Sequence, residues 1–142
     1  MPFTEYFVAD DDQAALAALG SSGPASVGLP TVEAKNLDPV VVIGTLESLL
    51  TGVPYDEVTA DPRQGHAVSD PEASPEEHVI AITDRLRGAL AAAGDAELGE
   101  VGARWGRTEE LDGFDPEFLT AFLVDLAALA RRDGQLYCWW AL

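Results

Sequence analysis

Leu37-Asp38-Pro39-Val40-Val41-Val42-Ile43-Gly44-Thr45-Leu46-Glu47-Ser48-Leu49-Leu50-Thr51-Gly52 is the stretch on which the fold turns. Asp-Pro opens it, Gly closes it, and Glu47 is the single charge in an otherwise apolar body, which is the punctuation of a helix covered on most sides. Asp38 can cap the first turn and Pro39 fits the first helical position, where its missing N–H costs nothing. Leu37 and Val42 stand at the spacing of a hydrophobic staple. The β-branched run from Val40 to Ile43 would also suit a buried strand. The punctuation favours the helix.

Toward the N-terminus, Phe3 to Val8 reads as a strand, aromatic and β-branched with partial alternation. Asp10-Asp11-Asp12 then caps a short helix from Gln13 to Leu19, stopped by Gly20, with three acids complementing the positive end of its dipole. Metal ligation by the triplet is the rival reading, and the missing Gly at the sixth place and missing terminal Glu of a calcium loop count against it. Ser21 to Pro30 is a Gly/Ser/Pro-rich connection, and Thr31 to Ala34 suits a short strand.

Toward the C-terminus, Thr51 to Ala73 is the longest polar interval, and His66-Ala67-Val68 is the piece most suited to a concealed strand. Ser74-Pro75-Glu76-Glu77 has the form of a capping box, so Val79, Ile82, Leu86, Ala89, Leu90 and Ala93 are read as one amphipathic helix ending at Gly94. A strand over Val79 to Ile82 competes, and the capping box decides against it. Asp95 caps a shorter helix to about Arg104, with Leu98, Val101 and Trp105 inward. Asp115-Pro116 starts a long helix with Phe118, Leu119, Phe122, Leu123, Leu126, Leu129 and Ala130 inward, and Arg131 and Arg132 at its negative end. Gln135 to Leu142 reads as a strand apolar on both faces, Tyr137 and Trp139 on one and Cys138 and Trp140 on the other, hence central in a sheet or part of an interface. The expected fold is α+β, a single domain with a small sheet that includes the N- and C-terminal strands and four to five helices packed against it.

Composition narrows the function classes. The 142 residues carry 25 acids against eight Lys and Arg, a net charge of −17, with Lys35 the only lysine. Such a field repels phosphate backbones and anionic lipid, so nucleic-acid and membrane binding are set aside, and it speeds encounter with cationic partners. The plainer reading, solubility together with a coding bias toward Ala, Asp, Gly and Arg, accounts for the charge more readily. The 47% hydrophobic content argues for a packed core. The single cysteine, Cys138, excludes an internal disulfide and fits a reducing, cytoplasmic setting. No run approaches the ~20 apolar residues of a membrane span, and no signal peptide is read at the N-terminus.

Leu46-Glu47-Ser48-Leu49-Leu50-Thr51-Gly52 resembles the apolar helix ending in Leu-Leu-Thr-Gly of the YfbM-like family, small bacterial proteins of unknown function. The Tyr6-Phe7 start, Ser74 to Glu77, the helix from Asp115 to Arg132 and the hydrophobic terminal strand come in a similar order. The family's central helix often carries a Trp and a His, where this chain has Val and Glu residues, and the middle of this chain is shorter. The resemblance implies an α+β fold and no reaction.

No constellation of residues carries catalysis, a cofactor or a metal. Two separated histidines and one cysteine do not make a zinc site, and no Gly-rich loop has the residues of a phosphate cradle. Cys138 lies in an apolar strand, and Trp105, Trp139 and Trp140 read as core. His78 reads as a surface residue of a helix's first turn. The first functional expectation is a non-enzymatic, acidic binding module, immunity- or inhibitor-like, that takes a basic protein partner through Asp10, Asp11, Asp12, Asp56, Glu57 and Asp61. The alternative is a small-molecule-binding protein or weak hydrolase with a pocket under the 51–73 loop using Tyr55, Arg63 and His66. A homodimer through Tyr137 to Trp140 is the structural option, beside a monomer.

Overall fold

Strands drawn from opposite ends of the chain lie side by side at the centre of the sheet. The computed structural model describes residues 3–34 and 37–141. Strand β1 (Phe3–Ala9) pairs antiparallel with β4 (Gln135–Ala141) through all seven residues, from Phe3 opposite Ala141 to Ala9 opposite Gln135. The short β2 (Thr31–Glu33) flanks β1, and β3 (Glu77–Ala81) flanks β4, giving the antiparallel order β2-β1-β4-β3. The α+β expectation holds, with both terminal strands in the sheet.

Alternation along the strands divides the core in two. Tyr6, Val8, Ile80, Leu136 and Cys138 face helices α2 (Val41–Thr51), α4 (Asp84–Ala92), α5 (Asp95–Trp105) and α6 (Pro116–Ala130). Phe7, Val79, Tyr137 and Trp139 face the other way, under α1 (Asp12–Ala15), a 3-10 turn at Leu16–Ala18 and the loop residues Leu29 and Val68. Both faces of β4 are therefore covered within one chain, and its burial needs no second copy. Among the described residues, the short α3 (Tyr55–Ala60) and 3-10 turns at Pro24–Val27 and Glu109–Leu111 add to the four to five expected helices.

The central stretch is helical, as its punctuation predicts. The helix proper starts two residues after Pro39, because Asp38 Oδ1 accepts the Val40 N–H at 2.6 Å and makes a turn of Asp38 to Val40. Gly52 closes α2 at φ 77°, a left-handed conformation that favours glycine. Tyr6 donates its hydroxyl to the Leu37 carbonyl at 2.7 Å, and the Trp105 indole N–H donates to the Val42 carbonyl at 3.1 Å, so the sheet and α5 both grip the start of α2.

The helix expected from Ser74 to Gly94 is not formed as one piece. Its first half is β3, and α4 begins only at Asp84, capped by Thr83, whose Oγ1 accepts the Leu86 N–H at 3.1 Å. Val79, Ile80, Ala81 and Ile82 are all buried, on alternating faces, and β3 meets β4 over five residue pairs. A run buried on both faces with β-branched residues gains more from that ladder than from a helix with one wet side. Of the capping-box residues, Ser74 closes a turn by donating its N–H to the Asp70 carbonyl at 3.0 Å, and Glu77 is already the first residue of β3. His78 consequently sits on a strand, its ring 6.0 Å from that of Trp140, and not in a helix's first turn.

Three smaller corrections follow from packing. Phe118, expected inward, is exposed and stacks on Phe114 with ring centroids 6.3 Å apart. Asp95 is the first residue of α5, and Gly94 is the cap. Arg131 serves the end of α4 and its following turn: Nε donates to the Ala91 carbonyl at 3.1 Å and a terminal nitrogen to Ala93 at 2.8 Å. The concealed strand piece at His66 to Val68 is present as a bridge between Ala67 and Ile80, along the outer edge of β3.

Candidate functional site

The acidic triplet leaves the sheet at the end of β1. Asp11 caps α1, its Oδ1 accepting the Ala14 N–H at 2.8 Å. Asp12, one residue on, turns its carboxylate to Arg63, which donates through two nitrogens at 2.9 and 2.5 Å, and to the Tyr137 hydroxyl at 2.7 Å. The Arg63 guanidinium also lies 5.8 Å from the centre of the Tyr137 ring, within cation–π range. These bonds, Arg63's first, hold the Asp12 carboxyl well below the usual carboxylate range, and the charge of His66 adds to the effect. Burial, then the Asp12 bond, pushes the Tyr137 hydroxyl up.

The long polar interval presents Arg63 because it is stitched down on either side. Asp61 Oδ1 accepts the Arg63 N–H at 2.8 Å, the Gln64 side chain donates to the Val40 carbonyl at 2.8 Å, and His66 and Val68 bond the backbone of β3 at 2.8 Å each. Arg63 is thus paired with Asp12 through two of its guanidinium nitrogens. An open cleft of about 500 Å³ remains beside it, lined by Asp10, Asp11, Asp12, Gln13, Arg63, Asp84 and Gln135. With Asp12 paired, Asp10, Asp11 and Asp84 are the carboxylates that this cleft offers to a partner.

Two further clefts continue the first. One of about 540 Å³ shares Asp10 with it and runs past Val8, Leu29 and Arg131. The other, of about 740 Å³, shares Pro30 and Arg132 with the second and follows β2. Together they form a track from the Asp10 end of the sheet to its β2 edge.

The sequence candidates are thereby divided. Asp10, Asp11, Asp12 and Arg63 come together, with His66 near enough for its charge to act on Asp12. Asp56 and Glu57 are exposed in the first turn of α3, and Asp61, whose Oδ1 accepts the Arg63 N–H, lines none of the three clefts. Tyr55 lies against α2, where a methyl group on Gly44 would meet its ring at 3.3 Å. Tyr55 and His66 line none of the three clefts. Asp84 and Tyr137 were missed, Asp84 because the helix reading buried its identity as a first-turn residue.

A second polar centre lies inside the core. Glu47, 1% exposed, accepts the Thr83 hydroxyl at 2.6 Å, and Arg85 reaches its other oxygen at 3.3 Å from a side chain that is 40% exposed. Burial raises this carboxyl above its ordinary 4.5, Asp61 adds to the rise, and Thr83 and Arg85 oppose it. The native state therefore holds this proton more tightly than the unfolded chain does. Glu47's contribution is most favourable below pH 4.5 and declines as pH rises through its folded value. In urea melts at pH 4 and pH 7, Glu47→Gln should gain stability relative to the native sequence at the higher pH. An unchanged difference would mean that burial does not perturb the group.

Among the described residues, no group of three or more His, Cys, Asp or Glu side chains is arranged to hold a metal ion, and no helix is long and apolar enough to cross a membrane. Cys138 is buried, and burial pushes its thiol up, which disfavours the nucleophilic thiolate. The chain matches no family model, and comparison with curated proteins and with solved structures finds no match.

Proposed function

We propose that this protein is a non-enzymatic binding module, immunity- or inhibitor-like, whose acidic surface takes a basic protein partner, with Asp10, Asp11 and Asp84 at the centre of the contact. The observation that carries the reading is the scarcity of internal neutralisation. Among the described residues, the only ion pairs are Arg63–Asp12 and Arg85–Glu47, in a chain of 25 acids. The other carboxylates among the described residues have no described base within 4 Å, and a field of one sign at an open cleft raises encounter rates with a cationic surface. Asp12 and Arg63 contribute by fixing the cleft wall, and Asp56 and Glu57 extend the acidic surface on α3.

Capture from native lysate at low salt, with a high-salt release, tests this. The expected result is one basic protein recovered in stoichiometric amount and released by salt. With that partner purified, Asp10→Asn/Asp11→Asn/Asp84→Asn should bind about tenfold or more weakly at low salt and show a flatter salt dependence. Asparagine keeps the cap at position 11, so the fold is retained. An affinity that is the same at low and high salt overturns the reading.

A further inference from the structure

The sheet has one open edge among the described residues, and the largest cleft follows it. β3 is bordered by the Ala67 bridge, whereas nothing pairs with the outer side of β2. The hydrogen bonds to β1 show which backbone groups are spare. Val8 N–H donates to the Pro30 carbonyl at 3.1 Å and Ala34 N–H to the Thr4 carbonyl at 3.0 Å, so the even-numbered residues of this strand face β1. By the alternation of a ladder, the N–H and C=O of Thr31 and Glu33 point outward. The cleft of about 740 Å³ straddles this edge: Glu5, Ala25 and Glu33 line one side of it, and Asp125, Ala128, Leu129 and Arg132 of α6 and its end line the other.

We propose that an extended basic segment of a partner protein adds to β2 as a fifth strand, its Lys or Arg side chains on the Glu5–Glu33 face and its apolar side chains toward Ala128 and Leu129. The inference rests on the acidic-module reading and names the form of the ligand. Three observations support it. Glu5 and Glu33 stand directly opposite each other across β1 and β2, an arrangement of like charges that is unfavourable in the free protein and relieved by a cation on the same face. Burial and then Glu33 raise the Glu5 carboxyl, while a hydrogen bond from the Ala25 backbone opposes them. Finally, the track of clefts joins this edge to the Asp10 surface through Pro30, Arg132 and Asp10, so one segment can engage both. Backbone pairing gives such a complex its affinity, and the alternation of side chains gives it specificity.

The probe is the labelled peptide acetyl-Lys-Val-Lys-Val-Lys-Val-Lys-amide, followed by fluorescence anisotropy at low salt. Residues opposite Thr31 and Glu33 share their face, so the lysine N–H groups are those that bond β2. N-methylation of every lysine should weaken binding about tenfold or more, and N-methylation of every valine should leave it within about twofold. On the protein side, Glu33→Pro removes an outward N–H that the fold does not use, at an edge where proline is tolerated. It should weaken binding well beyond Glu33→Gln, which removes only the charge. Equal binding of the two methylated peptides, or equal effects of the two Glu33 variants, overturns strand addition in favour of charge attraction alone. If the parent peptide does not bind, strand addition is overturned, while the salt-released partner reports separately on the acidic-module reading. Light scattering that shows a dimer broken by Glu33→Pro assigns the edge to a second copy and overturns the proposal. Should Glu33→Pro not fold, the peptide pair decides.

Discussion

Trp105→Ala should cost about 3–5 kcal/mol, the range for deleting a large aromatic side chain from a packed core. Trp105 is fully buried at the end of α5, stacked on Phe122 at 6.2 Å and bonded through its indole to the Val42 carbonyl. It thus joins α5, α6 and the start of α2, and no single neighbour can relax into the void. Domains of this kind have about 5–15 kcal/mol in all, so the variant should melt at far lower urea with an unchanged slope. Trp105→Phe separates packing from the hydrogen bond and should cost about 1 kcal/mol for the lost bond beyond its smaller volume change. A loss below about 1 kcal/mol for the alanine variant would contradict this central position.

Gly134→Ala is the second large effect. At φ 120°, Gly134 turns the chain into β4, and an added Cβ would lie 2.7 Å from the Ala9 carbonyl oxygen and 2.8 Å from Val8 Cγ1. The obstacle is the backbone of the central strand, which cannot swing aside as a flexible side chain would. Strained backbone and overpacking each cost about 1–3 kcal/mol, so a loss of about 3 kcal/mol or more is expected in thermal or urea melts. Gly28→Ala is the control. It also has a positive φ, 83°, but nothing lies within 4 Å of the added methyl, so about 1 kcal/mol is expected. Equal losses at the two positions would show that conformation alone matters.

What could be read from the chain was local punctuation. Asp38-Pro39 with Gly52, Asp115-Pro116, and the aromatic and β-branched ends each state an element within a few residues, and each is present. Ser74 to Glu77 shows the limit, for it carries a genuine helix-start pattern immediately before a strand. The term that overrides it is the ladder with β4, whose residues lie more than fifty positions away and leave no local trace. Thr83 was the available clue, a capping residue placed directly before a polar, helix-compatible stretch. The site was less legible. Asp12 and Arg63 are 51 positions apart and meet only because the loop is stitched to β3 and α2. Glu47 was visible as a lone charge in an apolar helix. Its partners Thr83 and Arg85 stayed hidden inside the segment read as continuous helix.

The pairing of β1 with β4 bears on how the molecule is made. Synthesis delivers β1 first, while the strand that fills its inner side comes from Gln135–Ala141, at the far end of the sequence. Until then the nascent chain holds an aromatic strand with an unsatisfied edge, and the native sheet cannot close before Gln135–Ala141 has left the ribosome. Contacts of such long sequence separation slow folding and lengthen exposure to aggregation. A circular permutant that joins the described ends through a short hairpin and opens the chain at the 20–30 connection would make that ladder local, and its refolding would be faster for the same final structure.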